Sequence, residues 1–308
     1  MALILAFAIG LIVTPLSIHL AHRTGALDRP GDLKVHEQPV PHLGGLAVFM
    51  AMSVLMLATR PLLVIPIGCA LLLGAVDDVA DLPVHIRISI EAAIGIAVAT
   101  IEPGQGPASF IFAVLLTVGL INAMNLLDGL DAVAAGVATA SALGFAFILS
   151  GDYRVLALAL AGALLALLVW NRPPARVYLG DGGSYVIGAT LAVLLAEAFR
   201  MPHSGSLRSA AILLVAVPVA DTTVAIVRRY RAGRPLLQGD RGHIYDQLVD
   251  RGASKSESAL TCIAFQVILA AVAVAIVGLS SVAAAGVAFV LVVVIGGPVL
   301  VSFTSPPP

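Results

Sequence analysis

Apolar residues run through this chain in long blocks separated by short polar stretches, and the blocks are close to one length. Eleven of them, each of about 16–21 residues, fall at roughly 1–20, 42–59, 61–76, 84–101, 108–124, 131–150, 154–171, 184–199, 209–227, 258–278 and 282–302. About 20 helical residues cross the hydrocarbon core of a bilayer. The pattern therefore predicts an all-α polytopic membrane bundle of about 11 helices, forming a single membrane-embedded domain over 1–308. Ten is the alternative count, because only Arg60-Pro61 parts the second block from the short third one. Composition agrees: 59% of the 308 residues are hydrophobic and 11% are charged, against roughly 25% charged in an ordinary soluble domain. The first block lacks a basic leader and exceeds a usual signal h-region, so it reads as a retained span. Cys69 and Cys262 both lie inside apolar blocks, which indicates no disulfide framework.

The polar stretches are not alike. Alternate loops, at 21–41, 77–83, 125–130, 172–183 and 228–257, with their flanks, collect 13 basic residues. The other side keeps only Arg60, Arg154, Arg200 and Arg208. Basic residues favour the cytoplasmic side, so the first set is expected to face the cytoplasm, with both termini outside. Acidic residues divide the same way, which basic bias alone does not require. Asp77, Asp78, Asp81, Asp128, Asp131, Asp181, Asp240, Asp246 and Asp250 share the basic face with His36, His42 and His243. That gathering suits a site for a charged, water-soluble substrate. A transporter would instead need polar residues at mid-bilayer on several helices, and only Glu91 and Asp221 approach that.

Three constellations carry candidate chemistry, each beside a plainer alternative. In NRPPARVYLGDGGS, 171–184, Asp181 sits among glycines at the mouth of a helix. Glycines let backbone N–H groups approach an anion, a helix N-terminus favours negative charge, and the carboxylate could hold a divalent cation. A turn and helix cap is the alternative. In GAVDDVADL, 74–82, Asp77 and Asp81 share a helix face while Asp78 points elsewhere, and three close carboxylates repel unless cations compensate them. They could hold Mg²⁺ or supply a general base; a solvated helix end is the alternative. In INAMNLLDGLDAV, 121–133, Asn122, Asn125, Asp128 and Asp131 recur every three residues, suited to base, ribose or metal-diphosphate contacts, or to capping a helical corner. Two loops add cations: Lys34 and His36 ahead of Gly44-Gly45, and six arginines over 228–252 with Asp240 and His243. Pro218 is expected to kink the ninth span, with Asp221 a turn later and Glu91 in the fourth span, each lacking an obvious partner.

Together these stretches resemble the polyprenyl-phosphate N-acetylhexosamine-1-phosphate transferases of bacterial envelope synthesis. The matching residues are Asp28-x-Pro30 with Lys34-x-His36 and Pro41-x-x-Gly44-Gly45; Asp77-Asp78 with Asp81; Asn122-x-x-Asn125-x-x-Asp128-Gly129-x-Asp131; Asn171 with Pro174-Ala175-Arg176 and Gly180-Asp181-x-Gly183-Ser184; Pro218-x-x-Asp221; and Asp240-Arg241-x-His243. They cover about 28–252 of the chain. The resemblance implies that a polyprenyl phosphate (undecaprenyl or decaprenyl) attacks the β-phosphorus of a UDP-N-acetylhexosamine, most simply UDP-GlcNAc. The products are polyprenyl-diphospho-sugar and UMP, as a first membrane step toward lipopolysaccharide or teichoic acid. It implies Mg²⁺, with Mn²⁺ as a substitute, a multi-pass place in the bacterial inner membrane with a cytoplasmic site, no nucleic-acid partner, and room for a homodimer. By the same analogy Asp181 and Asp128 are metal ligands, and Asp77, Asp78, Asp181 and His243 the catalytic set, Asp77 as base or nucleophile. Lys34, His36, Asn122, Asn125, Asp128, Asp131, Asn171, Arg176, Gly183, Asp240 and Arg241 then bind substrate.

The chain also departs from the family pattern. His243-Ile244-Tyr245-Asp246 keeps one histidine of the family's His-x-His-His, Gly182 replaces a common hydroxyl residue, and Ala132 a common glycine. Phospho-MurNAc-pentapeptide transferase activity ranks lower, because Pro41-His42-Leu43-Gly44-Gly45 is present and consecutive histidines are not. A catalytically inactive nucleotide- or lipid-binding relative is the other alternative.

Overall fold

The computed structural model describes residues 1–28, 39–201, 205–236, 241–291 and 302–304. The chain folds as α1 (Ala2–Thr24), β1 (Leu27–Asp28), β2 (Val40–Pro41), α2 (Gly44–Thr59), α3 (Val64–Ala80, after a 3₁₀ turn at Pro61–Leu63), α4 (Val84–Ile101), α5 (Gly106–Leu127) and α6 (Val133–Ile148). There follow α7 (Gly151–Asn171), α8 (Gly180–Arg200), α9 (Gly205–Leu213), α10 (Ala216–Arg231), α11 (Ile244–Asp250), α12 (Lys255–Ile276) and α13 (Ser281–Val290). The only sheet among the described residues is the two-residue antiparallel pair of β1 and β2, with Leu27 opposite Pro41. The all-α membrane architecture is therefore present. Among the described residues seven helices are long and apolar enough to cross a bilayer, or eight if α9 and α10 form one bent span. The remaining expected spans match shorter apolar helices: α2 and α6 have 16 residues each and α13 has 10.

Lipid tails give apolar helices no hydrophobic reason to associate, so close packing at small residues must hold them together. α8 shows this best, being buried along nearly its whole length. A Cβ on Gly45 would lie 2.2 Å from the Gly183 nitrogen, one on Gly74 2.3 Å from the Asp181 carbonyl carbon, and one on Gly188 2.5 Å from the Ile121 Cα. α2, α3 and α5 thus meet α8 backbone to backbone.

Pro218 bends the ninth span as expected: α9 and α10 meet at 62°. The break falls one turn upstream, at Leu214 and Val215, where the proline ring would clash with the carbonyl four residues back. Gln266 of α12 enters the opened ladder. Its Nε2 donates to the Leu213 carbonyl at 3.1 Å and its Oε1 accepts from Val217 N–H at 3.2 Å, serving the two groups that a continuous helix would have paired.

The bundle has two polar ends. At one, Glu102 is buried against Arg60 (3.2 Å) and Arg200 (3.5 Å) and accepts from the Tyr153 hydroxyl, so loops from four helices are tied together. The opposite end is the basic one. Residues 302–304 pack there: Gln247 and Arg251 donate to the carbonyls of Phe303 and Ser302, each at 2.9 Å, and the Arg251 guanidinium lies 4.1 Å from the Phe303 ring centre. The expectation that both termini share one face is thereby corrected. α1 begins at the Glu102 end, whereas the last described residues, 302–304, lie at the other.

Candidate active site

A cleft of about 1060 Å³ opens at the basic end. All five of the loops assigned to one face supply it, through His22, Asp28 and His42, through Asp77, Asp78 and Asp81, through Asp128 and Asp131, through Asn171, Arg176 and Asp181, and through Lys255. The three acidic motifs, far apart in sequence, come together because α3 and α5 both pack on α8.

Asp181 is the second residue of α8. Gly180 ahead of it has φ 71°, and a side chain there would press on the His42 carbonyl and the Asp78 carboxylate. Asp78 accepts from Asp181 N–H at 3.1 Å, and Asn125 Nδ2 donates to Asp181 Oδ1 at 2.6 Å. The last turn of α3, the C-terminal part of α5 and the start of α8 therefore meet through Asp78, Asn125 and Asp181. Asp128 follows directly at the end of α5. Burial, then the charges of Asp181, Asp78 and Asp131, hold its carboxyl well above the usual carboxylate range. His42 Nδ1 lies 3.5 Å from Asp78 Oδ2, and this hydrogen-bonding and charge partner raises the imidazole above its ordinary 6.5 despite burial.

Other expected residues line the cleft, and two of them also brace its walls. Asn171 is buried, accepting from Ala132 N–H at 3.1 Å and donating to the Val177 carbonyl at 2.9 Å. Asp131 accepts from Ala175 N–H at 3.0 Å. Both tie the α7–α8 loop to the α5–α6 corner. Arg176 is exposed and lines the cleft together with a neighbouring hollow beside Trp170 and Arg172.

Several assignments are not brought to the cleft. Gly183 packs against Gly45 and Leu179, and the N–H groups of Gly44 and Gly45 donate to Tyr178 and Leu179 carbonyls at 3.0 and 2.8 Å. These glycines serve helix contact, so their backbone is not offered to a phosphate. Asn122 turns away to Glu91, its Nδ2 donating to Oε2 at 2.5 Å. Three residues fall about 60° short of a full helical turn, which sends Asn122 and Asn125 to different neighbours. His243, 4% exposed, holds Asp221 through Nδ1 at 2.6 Å. A carboxylate within a span needs such a partner. Arg241 is exposed, 3.8 Å from Asp246, whose carboxylate accepts from Gly242 and His243 N–H groups and so caps α11. Lys34, His36 and Asp240 lie outside the described residues.

Sequence reasoning left His42, Lys255, Arg87 and Tyr185 out of the site. His42 adjoins the Pro41-x-x-Gly44-Gly45 motif, and that was its available signal. Tyr185 has none, because its partner Asp77 lies 108 residues away, and Arg87, ten residues past Asp77 on the next helix, shows its pairing only in three dimensions. Asp77 is 8% exposed, and its oxygens accept from Arg87 Nη1 (3.2 Å), the Tyr185 hydroxyl (2.7 Å) and Leu82 N–H (3.0 Å).

Among the described residues no three His, Cys, Asp or Glu side chains converge as a ready-made metal cage. Magnesium does not require one: it commonly takes one or two carboxylates and completes its shell from water and phosphate oxygens. The crowded carboxylates of Asp78, Asp128 and Asp181 fit that demand, being hard oxygen donors whose mutual repulsion a dication would relieve.

Residues 61–198 match the model of glycosyl transferase family 4. The chain is 30% identical to a probable undecaprenyl-phosphate N-acetylglucosaminyl 1-phosphate transferase of Bacillus subtilis, over 84% of this chain and 79% of that one. It is 32% identical to a decaprenyl-phosphate N-acetylglucosaminephosphotransferase of Mycolicibacterium smegmatis, over 78% and 73%. Similarity extends to an undecaprenyl-phosphate alpha-N-acetylglucosaminyl 1-phosphate transferase of Escherichia coli, at 26% over 78% and 73%.

Proposed function

Because the chain belongs to glycosyl transferase family 4, we propose that it transfers N-acetylglucosamine-1-phosphate from UDP-GlcNAc to a polyprenyl phosphate. An oxygen of the lipid phosphate forms a bond to the β-phosphorus, the bond to the α-phosphate bridge breaks, and UMP leaves. The observation that carries this reading is the joining of Asp78, Asp128 and Asp181, from three helices, in one polar cleft at the end of an apolar bundle. Such a place suits a reaction between a water-soluble diphosphate and a lipid whose tail stays in the membrane.

Phosphoryl transfer depends mainly on positioning and charge neutralisation. Asp181 and Asp128 would hold Mg²⁺, or Mn²⁺ in its place, and the ion would neutralise the diphosphate and favour departure of UMP. Asp78, accessible from the cleft and anchored to Asp181 N–H, faces the reacting phosphates. Arg176 and Lys255 supply positive charge at the rim. The 13 basic residues on the cleft-bearing loops support a site facing the cytoplasm from a bacterial inner membrane.

The test mixes purified protein with radiolabelled UDP-GlcNAc, undecaprenyl phosphate and Mg²⁺. Label in the lipid phase is expected. Binding of UDP-GlcNAc without transfer would make the protein an inactive relative and sink the proposal.

A further inference from the structure

Behind Asp77, away from the cleft, a polar chain runs into the membrane-spanning part of the bundle. Arg87, in the second turn of α4, is its centre. Its Nη1 donates to Asp77 Oδ2 at 3.2 Å, its Nη2 to Asn122 Oδ1 at 3.5 Å, and its Nε lies 3.6 Å from Glu91 Oε1. Glu91 is 0% exposed. Its other oxygen accepts from Asn122 Nδ2 at 2.5 Å, and the same Nδ2 is shared with the Val118 carbonyl at 2.9 Å. Arg87 Nε and Glu91 Oε1 have no hydrogen-bond partner and face each other as a charge pair. Arg87, Glu91 and Asn122 do not line the cleft, whereas Asp77 does.

A buried carboxylate in a span is expensive unless paired, so Glu91 has a physical reason to be there only if its charge does something. What it does is visible in the fork. Two carboxylates and one amide oxygen share a single guanidinium, which leaves that group little freedom to swing. Asp77, accepting from Arg87, Tyr185 and Leu82, is fixed in turn. Its neighbour Asp78 lines the same cleft and holds Asp181 N–H.

We infer that Glu91 and Asn122 are positioning residues for the transferase reaction: they set the Arg87 guanidinium, which locks Asp77 and thereby the orientation of the Asp77-Asp78 pair toward the reacting phosphates. This rests on the transferase reading above. Asp77 then works as a fixed anion, and mobility of its carboxylate is not part of the reaction. Because the network touches no substrate, its loss acts on turnover and leaves donor binding alone. A misplacement of about 1 Å in such a site can cost roughly 100-fold in rate.

The experiment measures kcat and the KM for UDP-GlcNAc in Glu91→Gln, which keeps shape and removes charge, in Arg87→Lys, and in the double variant. Asn122→Ser is run alongside in case Glu91→Gln does not fold, and thermal midpoints are recorded for all. Expected are a fall in kcat of about tenfold in Glu91→Gln and in Asn122→Ser with KM within about twofold of the parent. Little further loss is expected when Glu91→Gln is added to Arg87→Lys, because both act through one guanidinium. Parental kcat in Glu91→Gln or Asn122→Ser, or full additivity with Arg87→Lys, would overturn the inference. An inactive parent enzyme would instead strike at the transferase reading itself.

Discussion

Ala132 holds a left-handed backbone, φ 66°, at the start of α6. A Cβ in that conformation costs about 1–2 kcal/mol. Asn171, by accepting the Ala132 N–H, fixes the strained turn in place. Ala132→Gly should therefore raise stability by roughly 1 kcal/mol, less the extra freedom glycine gives the unfolded chain. Thermal unfolding in detergent reads it, and an unchanged or lower midpoint contradicts it. In sequence the position stands out only against the glycine of the family pattern that the chain resembles; the positive φ supplies a physical reason. His42 gives a pH signature. Asp78 raises its imidazole above 6.5, so the charged pair stabilises the fold fully below about 6.5 and the benefit is lost as pH rises through the raised value. The midpoint gap between parent and His42→Gln should shrink over that rise; a gap that widens opposes the assignment. Asp77 shows the limit of reading residues singly. Its place in an acidic motif is plain from sequence, but a carboxylate occupied by Arg87 and Tyr185 looks in sequence like a free one.

At the scale of elements, the alternation of apolar blocks and polar loops was enough to locate the helices, because in a membrane every backbone group must be satisfied within its own segment. The sequence pattern also placed the bend at Pro218. It did not disclose Gln266, one amide in an apolar block, whose role depends on α12 lying beside the break. Gln266→Leu leaves Val217 N–H and the Leu213 carbonyl unserved, with an expected loss of roughly 1–3 kcal/mol per buried group. Denaturant unfolding in detergent measures it, and parental stability would show that the two backbone groups find each other again. Glycine was the residue type most open to two meanings. Gly44, Gly45 and Gly183 permit a close backbone approach, as their type suggests, but the approaching partner is another helix.

Over the whole molecule, charge is sorted to two ends for two purposes. The Glu102 cluster joins loops and closes one end. The other end leaves its carboxylates facing a cleft, where their repulsion is unrelieved by nearby cations in equal number. The sidedness was legible because basic and acidic residues alternate with the spans in the same sense. The destination of the C-terminal segment was not, since residues 302–304 find Gln247 and Arg251 only in three dimensions. The account stands or falls on the carboxylate that begins α8. UMP release from UDP-GlcNAc and undecaprenyl phosphate in the presence of Mg²⁺ should vanish in Asp181→Asn and stay near the parental rate in Arg154→Ala, at the exposed start of α7 on the opposite end. Undiminished release by Asp181→Asn would contradict it.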